Sequence, residues 1–321
     1  MKGEAFARAH PNLALAKYWG KLDREGNFPA VPSLSVTLGG LTTTTRVRFD
    51  AALAADRLVL NGIEAHGTDL FRAVKLMDRV RASAGNELRA EIVSENDFPT
   101  ASGIASSASG FAALALAASR AAGVDWDAAR VSSEARESSA SAARSVFGGF
   151  VELELGAPSA RQVAPAGHLD LVVFVCVAGE GKKKDIGSTD GMRRTAAKSP
   201  FYRAWLDAAP ANFAELRAAV LAKDFEKTGE LAEASALAMH ASAIAAGVVY
   251  LGAVSLEGLA LVQRLRDQGT AAYATMDAGP HVKVLTREAD AAKVRAALSS
   301  LANVSRVIES RPGGAAEVVA S

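Results

Sequence analysis

Cysteine is nearly absent: Cys176 is the only one among 321 residues. That excludes an internal disulfide and any cysteine-rich metal site, and it fits a reducing compartment. An excess of charge of either sign is missing as well, since 36 Lys and Arg face 35 Asp and Glu for a formal net charge of +1. Without a long-range field nothing global points to nucleic acid, and any affinity for anions has to come from local clusters. Long apolar runs are lacking: "FAALALAA" meets Ser119 and Arg120 after eight residues, far short of the roughly 18 of a membrane span. The stretch "MKGEAFARAHPNLALAKYWGK" holds no apolar run longer than "LALA", so it does not read as a secretory signal, and the expected location is cytoplasmic. His10, His66, His168, His240 and His281 are scattered without ligand spacing, and neither the Walker A pattern nor G-x-G-x-x-G occurs.

What remains is ordinary in bulk. Half the residues are hydrophobic and 22% are charged, the balance of a soluble globular protein long enough for one large or two medium lobes sharing a cleft. "LSVTLGGLTTTTRVRF" reads as two strands around Gly39 and Gly40, and "DRLVLNGIEAHG" as a hairpin whose Asn61-Gly62 pair suits a type I′ turn, so the chain is expected to start as a meander. Helical periodicity follows over 69–83, a strand over 88–93, and a helix over 126–138. "GGFVELEL" and "LDLVVFVCV" read as strands, the second apolar enough for the centre of a sheet. Long helices are expected over 192–198, 200–220 and 225–246, then a helix, strand, helix, strand pattern to the end. The fold class is α+β, with a boundary near Gly187 dividing lobes 1–186 and 187–321.

One stretch calls for a chemical explanation. "NDFPTASGIASSASGFAALALAA" passes from turn residues through Gly, Ser and Ala into a small-residue apolar helix. Pro99 and Gly103 punctuate a loop, and Ser106, Ser107 and Ser109 stand where a helix begins. Free backbone N–H groups, hydroxyls and the helix dipole would together favour a phosphate there. The alternative is a capped helix whose Ala and Gly merely allow close packing.

The order of motifs adds specificity. "PTASGIASSASG" resembles the P-x-x-x-G-[LI]-x-S-S-A phosphate loop of the GHMP kinase superfamily, the small-molecule kinases that include galactokinase, homoserine kinase and mevalonate kinase. Within it the chain resembles the diphosphomevalonate decarboxylase family over nearly its whole length. The matching blocks are "AHPNLALAKYWGK", "SLSVTL", the loop itself, "SASAARSVFGGFVEL", "GSTDGMRRT", "MHASAI" and "TMDAGPHV". The resemblance implies a two-lobed GHMP kinase-like α/β sandwich, with a ribosomal protein S5 domain 2-like N-terminal lobe, a ferredoxin-like C-terminal lobe and a deep cleft between them. It also implies homodimerisation, ATP with Mg²⁺, and conversion of mevalonate 5-diphosphate to isopentenyl diphosphate, ADP, phosphate and CO₂ by phosphorylation of the 3-hydroxyl.

The implied roles suit the residue types. A tertiary alcohol is a crowded, weak nucleophile, so a carboxylate must accept or orient its proton. Asp277 matches that position, although "DAG" taken alone equally describes a turn cap. Arg144 matches the family arginine, and a planar guanidinium meets a carboxylate with two parallel hydrogen bonds. Lys17 stands with them as a catalytic candidate. Tyr18, Lys21, Ser139, Ser141, Ser188 and Arg193 match the substrate-binding blocks, and Pro99, Ser102, Gly103, Ala105, Ser106, Ser107 and Ser109 the ATP loop. Lys182, Lys183 and Lys184 form a tribasic loop of weaker standing, Trp19 is expected to pack, and His240 to be structural. The chain departs from the family at Val31, Pro32, Ser138, Ala140, Val248 and Val249. Three alternatives therefore stand beside the leading reading: a decarboxylase of mevalonate 5-phosphate, a mevalonate 3-kinase, and a non-catalytic nucleotide-binding protein of the same fold.

Overall fold

The computed structural model describes residues 3–98, 106–178 and 186–320. Pro99, Ser102, Gly103, Ala105, Lys182, Lys183 and Lys184 lie outside the described residues. The first part contains β1 (Glu4–Ala9), β2 (Asn12–Ala16), β3 (Ser33–Thr37), β4 (Thr43–Asp50), β5 (Arg57–Leu60), β6 (Ile63–Glu64), α1 (Gly67–Ala84) and β7 (Arg89–Asn96). It continues through α2 (Ser106–Ala121), α3 (Ala128–Ser138), a 3-10 segment (Ala140–Val146), β8 (Phe150–Leu153), β9 (Arg161–Ala164) and β10 (Val172–Ala178). The remainder is α4 (Ser188–Lys198), α5 (Tyr202–Leu221), α6 (Phe225–Ala245), α7 (Ala253–Asp267), β11 (Ala272–Met276), β12 (Val282–Thr286), α8 (Glu288–Ser299), β13 (Val304–Ser310) and β14 (Glu317–Val319).

Three sheets organise these elements, in the orders β14-β1-β4-β7-β5-β6, β2-β3-β8-β9 and β11-β12-β10-β13. The first packs against α1 and α2, the second against α5 and α6, and the third lies between α6 on one side and α7 and α8 on the other. Burial patterns explain the split. β4 alternates buried and half-buried positions, as a strand with one covered face does, whereas β2 and β3 are buried at every position. The simple meander expected at the start is therefore corrected. β3 pairs with β2 and β8, while β4 pairs with β1 and β7, so the Gly39-Gly40 turn carries the chain from one sheet to another. The Asn61-Gly62 turn has the expected positive φ angles of 48° and 78°. Strand β10 is hydrogen-bonded between β12 and β13, so its sheet partnership crosses the boundary expected near Gly187.

Small residues let α2 sit deep in the first core. Ala112, Ala113, Ala115, Ala117 and Ala118 are fully buried among Val47, Ile92, Leu76 and Val131. A larger apolar cluster joins the second sheet, α5, α6 and the facing side of the third sheet, from Leu13 and Leu34 to Phe225, Val173 and Leu285. Burial on this scale, at about 25 cal/mol per Å² of apolar area, holds the two halves together. Two glycines are fixed by geometry. Gly149 has φ +70°, and a Cβ there would stand 2.3 Å from the Ala164 carbonyl oxygen. Gly20 has φ +116°, and its Cβ would meet the Tyr202 hydroxyl at 2.2 Å. Among the described residues no helix is long and apolar enough to cross a membrane.

Candidate active site

A cleft of about 630 Å³ opens where the end of β2, α1, the 137–144 segment, the start of α4 and the turn after β11 converge. Asp277 stands at its floor. Its carboxylate is 29% exposed and grips two ammonium groups, Lys17 Nζ at 2.8 Å from Oδ1 and Lys283 Nζ at 3.1 Å from Oδ2. The Asp277 carbonyl, not its carboxylate, accepts from Gly279 N–H at 2.7 Å, so the turn is closed without the side chain. Burial alone would raise this carboxyl, but Lys17 and then Lys283 outweigh it and hold the acid well below the usual carboxylate range.

Lys17 is 2% exposed and also donates to the Ala14 carbonyl at 2.8 Å. Burial pushes its ammonium down from 10.5 to about 8, with Asp277 opposing the shift. Arg144, also 2% exposed, lies in the 3-10 segment rather than on an exposed helix face. Its guanidinium donates to Ser35 Oγ at 3.1 Å, Ser33 Oγ at 2.8 Å and Asn12 Oδ1 at 3.5 Å. All three partners are neutral, and burial pushes the group down to about 10. A buried cation served only by neutral acceptors is costly unless an anion arrives to complete it.

The other candidates are distributed around these groups. Ser139 and Ser141 face each other with hydroxyls 3.2 Å apart, and both line the cleft beside Ala140. The Tyr18 hydroxyl is buried without a hydrogen-bond partner among the described residues, and burial raises its pKa. Lys21 donates to Asn27 Oδ1 at 2.7 Å and Thr189 Oγ1 at 3.2 Å, and its ammonium is lowered by burial and then by Arg72 and Arg193. Ser188 is exposed at the start of α4 and lines the cleft. Arg193 stands outside the lining at 76% exposure, paired with Asp190 at 3.1 Å.

A second cavity of about 150 Å³ lies between β4, β5, β7, α1 and α2, lined by Thr43, Leu58, Asn61, Ser94 and Phe111 among others. Ser106 and Ser107 border it, and Ser107 also lines the main cleft, so that hydroxyl stands at their junction. Ser109 is different: it is fully buried, with Oγ 2.6 Å from Thr43 Oγ1, where it ties α2 to β4. Close packing thus accounts for the stretch from Ala108 onward, while Ser106 and Ser107 line the cavities. No group of three or more His, Cys, Asp or Glu side chains among the described residues could hold a metal ion. The Ser107 hydroxyl and the ionised Asp277, which line the same cleft, suit a cation that arrives on phosphate oxygens.

Several positions escaped sequence reasoning. Lys283 gave a signal, a charge inside the apolar strand "HVKVLT", and so did Asn12, Ser33 and Ser35, polar residues in fully buried strands. Arg72 gave none, because an arginine on an amphipathic helix is ordinary; it lines the cleft and donates to the Ser138 carbonyl at 2.9 Å. His240 is buried beneath the site, pushed to about 4 by burial and then by Lys17. Trp19 packs edge-on against Tyr250 with Val31, Met192 and Val248 around it, so Val31 and Val248 shape the wall behind "KYWGK", while Val249 is exposed.

Two family models match the chain: a diphosphomevalonate decarboxylase-like N-terminal domain over residues 9–164 and a mevalonate 5-diphosphate decarboxylase C-terminal domain over residues 173–318. The diphosphomevalonate decarboxylase of Candida albicans is 35% identical over 311 residues, covering 90% of this chain and 86% of that protein. The human enzyme is 34% identical over 313 residues, covering 89% and 78%. A crystal structure of mevalonate diphosphate decarboxylase from Staphylococcus aureus superposes with a TM-score of 0.92 at 38% identity, covering 99% of this chain and 98% of that one. A solved complex of MDDEF with MVAPP, AMPPCP and magnesium superposes with a TM-score of 0.91 at 37% identity, covering 99% of both chains. With the architecture matched throughout and both family models covering its two halves, the chain belongs to the diphosphomevalonate decarboxylase family.

Proposed function

We propose that this protein decarboxylates mevalonate 5-diphosphate with ATP, giving isopentenyl diphosphate, ADP, phosphate and CO₂. The observation that carries the reading is an ionised Asp277 and a buried Arg144, whose hydrogen-bond partners among the described residues are all neutral, in one cleft that shares Ser107 with a second cavity. Two reacting anions and a nucleotide fit that division of space.

The nucleotide base occupies the smaller cavity, and its phosphates run past Ser106 and Ser107 toward Asp277. Mg²⁺, when bound to the nucleotide, neutralises charge on the β and γ oxygens. In the main cleft the substrate carboxylate completes the hydrogen bonding of Arg144, with Ser139 and Ser141 beside it. The diphosphate tail lies toward Tyr18, Lys21, Arg72 and Ser188. This orientation aims the 3-hydroxyl at Asp277.

A carboxylate so well stabilised is a weak base, so it first orients the hydroxyl. It takes the proton as the new O–P bond makes that hydroxyl acidic, and the γ-phosphoryl leaves ADP. In the second stage the C3–O bond breaks and phosphate departs with its electron pair. The C1–C2 pair then becomes the C2=C3 double bond and C1 leaves as CO₂. Arg144 holds the carboxylate in line for this step, and Lys17 at the cleft floor stabilises the departing phosphate.

We further propose that the protein works in the cytoplasm as a homodimer, a reading supported by its single, buried cysteine and by exposed Leu237 and Ile244 on one face of α6. Sedimentation should give twice the 33.2 kDa chain mass; the monomer mass would overturn that part. The catalytic assignment is tested by offering mevalonate, its 5-phosphate and its 5-diphosphate separately with Mg·ATP. Equal ADP and CO₂ from the diphosphate is expected. The same stoichiometry from the monophosphate alone, or ADP without CO₂, would overturn it.

A further inference from the structure

The reading above uses one cation, Lys17, on one oxygen of Asp277. The other oxygen is held by Lys283, which sits at the centre of a sheet where a charge is least expected. On β12 it lies opposite Thr275 of β11 and Val175 of β10, and it is 2% exposed. Its neighbours in sequence, Val282 and Val284, face the opposite apolar core with Phe174, Cys176 and Met276. Lys283 does not line the cleft, so it cannot touch a substrate from this position. Among the described residues Asp277 is its one anion, at 3.1 Å, and no other acceptor hydrogen-bonds its ammonium.

A buried ammonium with a single anionic partner is expensive to keep. Apolar residues fit the remainder of that strand, so a methionine would fill the place without the desolvation. What the lysine adds is a second point of attachment. With Lys17 alone on Oδ1, the carboxylate would turn about its Cβ–Cγ bond; with Lys283 on Oδ2 both oxygens are fixed and the remaining lone pairs aim into the cleft. We infer that Lys283 is a positioning residue for the proposed reaction, locking the plane of the Asp277 carboxylate from behind.

The electrostatic surroundings agree. The groups facing this carboxylate and its partner are Lys17 after β2, Arg144 from the 3-10 segment and His240 from α6, while Cys176 of β10 lies on the other face of the sheet within electrostatic reach of Lys283. Near neutral pH His240 and Cys176 are uncharged, pushed by burial to about 4 and about 12 respectively, so neither replaces a lost ammonium there. Removing Lys283 therefore leaves one cation in contact and lets the Asp277 pKa rise, which moves the acid limb of activity to higher pH.

The inference rests on the proposed reaction, and its test is arranged to fail separately. Wild type, Lys283→Met and Lys283→Gln are assayed for ADP and CO₂ from mevalonate 5-diphosphate across the acid range. Lys283→Met should lower kcat by about 10- to 100-fold, leave both KM values within about twofold, and raise the acid limb. Lys283→Gln keeps a donor without the charge, so its kcat loss should be smaller and its acid limb should still rise. Wild-type kcat and acid limb in either folded variant would overturn the inference, as would a raised KM with an unmoved limb. A wild type without turnover would instead sink the proposed reaction. Stability supplies a readout independent of turnover: Lys283→Met should lower the melting temperature in the wild-type background and raise it in an Asp277→Asn background, where the ammonium has lost its anion. Equal effects in both backgrounds would also overturn the pairing on which the inference stands.

Discussion

In the proposed reaction three side chains carry most of the chemistry, and each is expected to fail in its own way. Asp277→Asn keeps the size of the side chain but removes the charge between Lys17 and Lys283. It should fold and lose about 10²–10⁴ in kcat, as read by ADP release; unchanged ATP consumption would contradict the assignment. Arg144→Gln removes the fork that meets the substrate carboxylate and should cost about 10²–10³ in kcat, again with CO₂ as the readout. Lys17 sets the alkaline side. Its pKa in the folded protein is about 8 against an ordinary 10.5, so the ammonium is lost as pH rises through about 8 and turnover should fall there. Lys17→Arg cannot lose its proton in that range, and any residual activity should lack this limb. An alkaline limb that persists in that variant would assign it to another group. Burial is what makes these residues informative, and burial was only partly legible in the sequence. Motif order pointed to Asp277, Arg144 and Lys17, whereas Lys283 had to be placed by the pairing of β12 with β11 before its charge acquired a partner.

At the level of elements, helices were the most legible part. The amphipathic pattern over 69–83 corresponds to α1 at Gly67–Ala84, and the long helices after residue 187 correspond to α4, α5 and α6. Strands β1 and β2 were not foreseen, because "EAFARA" and "NLALA" are rich in alanine, a weak strand former, and owe their conformation to the sheets on either side. The sheet change between β3 and β4 was also illegible: local sequence indicates a turn, and only the burial of both faces of β3 decides which sheet it joins. The glycines of "VFGG" explain how the arginine block is held. Gly149 adopts a positive φ with the 164–165 backbone against it. Gly149→Ala should therefore destabilise the fold by about 3 kcal/mol or more, from strain and overlap together. Thermal melting would show a drop of several degrees; an unchanged midpoint would mean that the backbone can yield there.

For the whole molecule, a near-neutral total charge coexists with a strongly cationic cleft. Lys17, Lys21, Arg72, Lys75 and Arg144 line it against Asp277, Asp190 and Glu137. Phosphate affinity is thus a local property, as the balanced composition required. Family membership accounts for the architecture, and in the proposed reaction one scaffold can first transfer a phosphoryl group and then expel it because the same cations would face the incoming and the departing phosphate. Saturating mevalonate 5-diphosphate at about 100 times its Kd should stabilise the protein by about 2.7 kcal/mol, visible as a raised melting temperature, while an equal rise with unphosphorylated mevalonate would deny the tail a role. The most direct test of the two-stage chemistry follows the oxygen on C3. Substrate labelled with ¹⁸O at the 3-hydroxyl should deliver that label to inorganic phosphate, because the hydroxyl oxygen is the one phosphorylated at Asp277 and later expelled. Label appearing in water, with unlabelled phosphate, would contradict it.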